Sequence, residues 1–389
     1  MKQCFYLILI GSFLFFSCNK PHNNIEPDIS DVKTIIVDTK QELVLPLDSI
    51  FHKIEFIKLE TTNENLIGKI SQLFFIDSLI IAVDAESSKT ICFFDRRGNY
   101  LHRIKDLGQG PHEYVEISHV SIVPGNKQLV VIDRPQNKVI YYDLNGKFVK
   151  SERTPFMLSY FEFLESGSKA YKINGMNDSQ IGEYRNNPFV VTDKNNNIIY
   201  GAFQDINTEN FSFSKLYPLR KFQETVYFSP NFSSTIYEVS DTIVKAKYQI
   251  DFKQYKMPGL SNDITDKQFK EYREKYFYFN GDFIELKDFS YINVATPCGF
   301  LTVIYSHKQN KTVLHTGNGN HPFFSFLNIP KARYEDNAIV VDVQAYIIHA
   351  LKNEFYKNGK FNELLDSLFE NLDEDANPVL FLYYLNPDL

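Results

Sequence analysis

Residues 81–104, IAVDAESSKTICFFDRRGNYLHRI, and residues 130–151, VVIDRPQNKVIYYDLNGKFVKS, are two copies of one pattern. Each runs an apolar triplet, an Asp, a short polar stretch, a second apolar run, another Asp, a turn containing Gly, and an outgoing strand. Asp84 and Asp133 lie 49 residues apart, and Gly98 and Gly146 lie 48 apart. Apolar residues alternating in twos read as strands, and the Asp, Asn and Gly between them supply turn geometry and side-chain to backbone bonds. The unit is therefore a small antiparallel meander. Four further stretches echo it with decreasing fidelity: FVVTDKNNNIIYGAF (189–203), VYFSPNFSSTIYEVSDTIVKAKYQIDF (226–252), FLTVIYSHKQNKTVLHT (300–316) and NAIVVDVQAYII (337–348). The span from Leu66 to Ala350 holds about six such periods.

A meander of three or four strands cannot bury both of its faces alone. Copies stacked face to face do so, and closing the row into a ring removes the exposed end faces. Helical repeats of similar length would need apolar spacing at i, i+3 and i+4, which these segments lack. The expected fold is all-β, a six-bladed β-propeller of three- to four-stranded antiparallel blades. Two interruptions read as small helical insertions. Residues 262–277 place Phe269, Tyr272 and Tyr276 at helical spacing behind a capping Asp263 or Thr265, between blades four and five; residues 360–371 carry the stripe Phe361, Leu364, Leu365, Leu368. Either the last strand, VLFLYYL (379–385), or the early IEFIKL (54–59) is expected to complete a blade with material from the other chain end.

The chain opens Met1-Lys2-Gln3, continues with thirteen almost wholly apolar residues from Cys4 to Phe16, and then reads Ser17-Cys18 before a polar stretch. A positive start, a short apolar core and a small residue before the cut describe a secretory signal over residues 1–17. The small-residue-then-Cys ending is similar to a bacterial lipobox, with Phe15 standing where Leu is usual. That makes Cys18 the lipid anchor, residues 18–33 a lipidated flexible tether and residues 34–389 one propeller domain. The resulting location is the cell envelope, anchored to the outer membrane, on the periplasmic side or the cell surface. With Cys4 removed and Cys18 acylated, Cys92 and Cys298 remain, and both are expected as buried free thiols rather than a disulfide.

GQGPHEY (108–114), the Asp-x-x-Gly hairpins, KLETTNENLIGKI (58–70) and DEDANPVLFLYYL (373–385), taken with the lipobox-like start, resemble the Bacteroides-type six-bladed β-propeller lipoproteins with NHL-like repeats. The resemblance covers nearly all of the mature chain and implies fold and location rather than an activity. His112 departs from it, standing where a Gly is usual.

The net charge is −7, and −8 once Lys2 leaves with the signal, so no global basic field favours nucleic acid as a partner. No HExxH, GxSxG, P-loop or helix-opening GxGxxG occurs. Ser166-Gly167-Ser168-Lys169 fits SxxK but reads as a hairpin turn. The nine histidines show no i+2, i+3 or i+4 pairs, and no Cys/His cluster forms a metal site, so neither metal nor cofactor is expected. The recurring Asp84, Asp133, Asp143 and Asp193 read as turn caps. Candidate ligand contacts are His112, Glu113 and Tyr114 in the Gly-rich loop, with Tyr276 and Tyr278 in the aromatic run REKYFYFNGDF (273–283); each has a competing structural reading as turn, latch or inter-blade packing. The expected function is a binding or interaction scaffold for a glycan or peptide, with an envelope protein as a further partner. The alternative is a metal-dependent, lactonase-like hydrolase or lyase at the central channel, which needs carboxylate, amide or imidazole groups converging at one mouth.

Overall fold

The computed structural model describes residues 23–389 apart from 41–42, 126, 155, 157, 174–178, 205–214, 216, 260–263, 316–318, 328 and 358–360. Six antiparallel sheets form a six-bladed β-propeller. From the channel outward, blade 1 is Gln72–Ile76, Leu79–Asp84, Thr90–Asp95 and Tyr100–Ile104; blade 2 is His119–Ile122, Gln128–Asp133, Lys138–Asp143 and Phe148–Arg153. Blade 3 is Leu158–Phe163, Lys169–Ile173, Phe189–Thr192 and Ile198–Ala202; blade 4 is Leu219–Phe222, Thr225–Phe228, Thr235–Val239 and Val244–Asp251. Blade 5 is Tyr278–Glu285, Phe289–Thr296, Gly299–Ser306 and Lys311–His315. Blade 6 is Ala332–Tyr334, Ala338–Val343, Val379–Leu385 and, from the other end of the chain, Phe51–Lys58.

The middle strands are apolar on both sides because each blade is covered on both faces. In blade 1, Ile81, Val83, Ile91 and Phe93 pack toward blade 2. The intervening Ile80, Ala82, Cys92 and Phe94 pack toward blade 6. Blade 2 repeats the division: Leu129, Val131, Ile140 and Tyr142 face blade 1, whereas Val130, Ile132, Val139 and Tyr141 face blade 3. A simple alternation of buried and half-buried positions survives in the outer strand of blade 4. The turns follow the sequence. Asp95, Asp143 and Asp193 each accept two backbone N–H bonds across their hairpins. The positive φ at Gly98 (90°) and Gly146 (78°) closes the first two of those hairpins without steric cost.

Closure uses both chain ends at once. Val379–Leu385 pairs on one side with Ala338–Val343 and on the other with Phe51–Lys58. Upstream of that latch, the chain climbs around the outer wall. Asn24–Ile25 adds a parallel strand to blade 3, Lys33–Ile36 to blade 4 and Leu43–Leu45 to blade 5. Of the stretch read as a tether, residues 23–33 are thus carried on the wall, with Asn23 held by the Tyr184 hydroxyl and Asp28 bonded to Val244 and Ala246. Residues 1–22, Cys18 included, lie outside the described residues.

A short helix, α1 (Leu47–Ile50), leads into Phe51–Lys58. The first insertion is helix α2 (Asp266–Arg273), between blades 4 and 5, closed at its start by a capping box of Thr265 and Gln268, whereas the other candidate cap, Asp263, lies outside the described residues. The second is longer than its sequence signal: α3 (Ala345–Ala350) and α4 (Lys352–Tyr356) precede α5 (Asn362–Phe369), in which Leu365 and Leu368 are fully buried. The apolar run 337–348 is therefore not one strand. It changes from strand to helix after Val343. Cys92 is buried as expected, but Cys298 is exposed because it falls in the turn between Phe289–Thr296 and Gly299–Ser306, where no neighbouring blade covers it.

Candidate functional site: the central channel

The inner strands enclose a cavity of about 620 Å³, within the usual range for small-ligand sites. Almost every inner strand interrupts its apolar residues with a polar one. Blade 1 supplies Gln72, whose amide both donates to and accepts from the backbone of Val120 in blade 2, at 2.9 and 2.7 Å. Blade 2 supplies His119, which meets Glu162 of blade 3 at 2.9 Å, while Ser121 donates to the other oxygen of that carboxylate at 2.7 Å. Both members of the pair are buried. Blade 4 supplies Arg220, which lies 3.6 Å from Asp282 of blade 5, donates to the Phe283 carbonyl at 3.0 Å and stacks 3.9 Å from the centre of the Tyr217 ring. Blade 6 supplies Lys331, 3.9 Å from Asp342, and Arg333.

Burial governs the ionisation of the two aspartates that back these walls, behind Arg220 and Lys331. It raises the carboxyl of Asp282 above its ordinary value despite Arg220 and the amide of Asn293, which pull the other way. One oxygen of Asp282 has no hydrogen-bond partner among the described residues. Asp342 is likewise raised, by burial first, against the opposing pull of Lys331. Charged side chains at the cavity wall are Arg96, Arg220, Lys221, Lys331 and Arg333 against Glu162, Glu224 and Glu335. The rim beside Arg96 is aromatic: Phe75 and Tyr334 meet edge to face at 5.0 Å, and the guanidinium lies 5.3 and 5.5 Å from their ring centres. Among the described residues, no three of His, Cys, Asp and Glu gather in a way that could hold a metal ion.

None of the five contacts proposed from sequence lines this cavity. The GQGPHEY loop joins blades 1 and 2, and most of its groups are engaged locally. Glu113 accepts from the Gly110 N–H at 2.8 Å; Tyr114 is fully buried and its hydroxyl donates to the Lys89 carbonyl at 2.8 Å. Lys138 and Gln136 bond the loop carbonyls of Gly110 and Gly108, and Tyr142 bonds that of His112. The His112 ring is exposed, 3.9 Å from Glu113 and edge-on to Phe148. Tyr276 and Tyr278 are half-buried beside α2, Tyr276 against Tyr272 and Tyr278 against Phe269 and Arg273. The channel residues escaped sequence reading because the inner strands are short and lack the Asp-turn signature. Their signal is one charged or amide residue inside a short apolar strand, visible in FEF, LRKF and ARY.

A family model described as a domain of unknown function, DUF4934, matches residues 31–384. A crystal structure of a Bacteroides fragilis protein whose name marks it as exported superposes with TM-score 0.72 at 19% identity, over 92% of this chain and 100% of that one. A DUF4221 family member from Bacteroides vulgatus superposes with TM-score 0.55 at 9% identity, over 87% of this chain and 97% of that one. At these identities the likeness is one of fold. No curated protein matches the sequence.

Proposed function

The chain belongs to the DUF4934 family, and from that premise we propose that it is an exported envelope protein whose propeller binds a ligand in its central channel without transforming it. The observation that carries this reading is the cavity itself: polar side chains from neighbouring inner strands converge on a space of about 620 Å³, braced by one another so that they are held in place before any ligand arrives. Export is supported by the signal-like first seventeen residues and by the name of the Bacteroides fragilis neighbour. Acylation of Cys18 would fix the protein to the outer membrane, and the Asp-turn repeats are read as NHL-like. A glycan or peptide is the ligand class that suits an aromatic rim beside polar walls.

Binding of the chain to glycan and peptide arrays, set beside a Glu224→Trp variant, tests the channel. Glu224 lies on an exposed turn at the cavity wall, so a bulky ring there narrows the channel without disturbing the core. Binding that is lost in the variant supports the reading; binding that is unchanged places the contact elsewhere. Labelling of cells with an alkynyl fatty acid, compared with a Cys18→Ala variant, tests the anchor.

A further inference from the structure

We propose that the channel's ligand carries carboxylate groups, for which the guanidinium groups of Arg96, on the blade 1 side of the cavity, and Arg333, turned toward blade 5, are two separate receiving points. This deepens, and rests on, the reading of the channel as a binding site. Both side chains line the cavity and both are half-buried. What sets them apart is how they are held. Arg96 donates to the backbone carbonyl of Asp77, at 2.8 Å from Nε. Arg333 donates to the carbonyls of Glu285 and Glu335, at 3.4 and 2.9 Å. Among the described residues, neither has a carboxylate within the 4.0 Å of an ion pair, whereas Arg220, Lys221 and Lys331 each have one.

Carbonyl oxygens orient a guanidinium without cancelling its charge. A guanidinium has five N–H donors, and each of these two spends only part of its set on the backbone. The remainder is a planar fork beside open space, which matches the two oxygens of a carboxylate better than a point cation would. Half-burial adds to the effect, because a cation partly removed from water, with the carboxylates it feels, such as Asp336 and Glu285 near Arg333, beyond ion-pair distance, gains more from an anion placed in contact than an exposed one does. The Phe75 and Tyr334 rings, over which the Arg96 guanidinium lies, give that charge an aromatic border. A carboxylate on a ring, as in a sugar acid, satisfies both features; a free organic acid satisfies only the first.

Calorimetric titration of the full chain with digalacturonate, with citrate and with a neutral disaccharide separates these sources. Digalacturonate is expected to bind, the neutral disaccharide not, and rising sodium chloride to weaken binding. Arg333→Gln and Arg96→Gln are each expected to weaken it by about tenfold or more, while Arg333→Lys, which keeps the charge but loses the fork, retains part of it. Thermal unfolding of each variant accompanies the titrations, and should Arg333→Gln not fold, Arg96→Gln carries the comparison. Binding of citrate in preference to digalacturonate supports the carboxylate and makes its source a free acid. Binding of the neutral disaccharide alone, abolished by Glu224→Trp, overturns the carboxylate and leaves the channel reading standing. Failure of both acids to bind, or binding indifferent to both Gln variants, also overturns it.

Discussion

Asp84 ties the entry of blade 1 to its own hairpin: its carboxylate accepts from the backbone of Gly68, Ser87 and Ser88 and from the Ser88 hydroxyl. Burial pushes its carboxyl up, but the donors together push it further down, so it lies below the ordinary value. Folded Asp84 therefore takes up a proton less readily than unfolded Asp84. The stability it contributes is complete above the unfolded value and drains away as pH falls through the lower folded one. Asp84→Asn is expected to cost about 1–3 kcal/mol at pH 7, with the gap to the parent narrowing toward pH 3 in urea unfolding. A gap that does not change with pH would assign the loss to packing instead. The two thiols make a second prediction. Burial pushes Cys92 up to about 11, and Cys298 stands in solvent. In a chain beginning at Asn19, a thiol reagent should titrate one cysteine when folded and both in denaturant; two fast thiols in the folded state would mean that the blade 1 to blade 6 interface opens. The turn aspartates were legible in sequence because they recur with the repeat. The channel residues were not, since a single charged residue in a short strand has no partner visible along the chain.

At the scale of elements, the outer-wall segment is what no periodicity could have announced. Its three strands are two to four residues long and parallel to the blades they join. Yet Ile35 and Val37 are wholly buried in the largest apolar cluster of the molecule. Ile35→Ala is expected to destabilise the fold by about 2–5 kcal/mol, although the residue precedes the first blade; urea unfolding checks this, and a loss near zero would make the segment an ornament. The latch was readable as two candidate strands, and the structure uses both, side by side. Helix α3 was missed for a different reason. In AIVVDVQAYIIHA no turn residue marks the boundary, and Ala345 and Ile348 go inside at helical spacing while Tyr346 and Ile347 remain exposed. An apolar run read in twos hides such a change of period.

The sixfold plan was legible because every blade must bury both faces, which forces continuous apolar strands to recur at a fixed interval. Where the ring departs from that rule, as in the helical excursion within blade 6, the repeat fades in the sequence too. Closure predicts strong cooperativity. Val379–Leu385 is bonded on both edges, so a chain ending at residue 378 should lose its single sharp thermal transition; survival of that transition would show that the ring holds without its clasp.

The climb of the amino-terminal segment along the wall also fixes the posture of the whole disc. On the proposed acylation of Cys18, five steps of chain lead to Asn23, which is already bonded to blade 3, and five residues reach at most about 17 Å when fully drawn out. Such a leash is far too short for free tumbling. The circumference near blade 3 would rest on the lipid headgroups, the wheel would stand on edge, and both ends of its axle would open sideways along the bilayer.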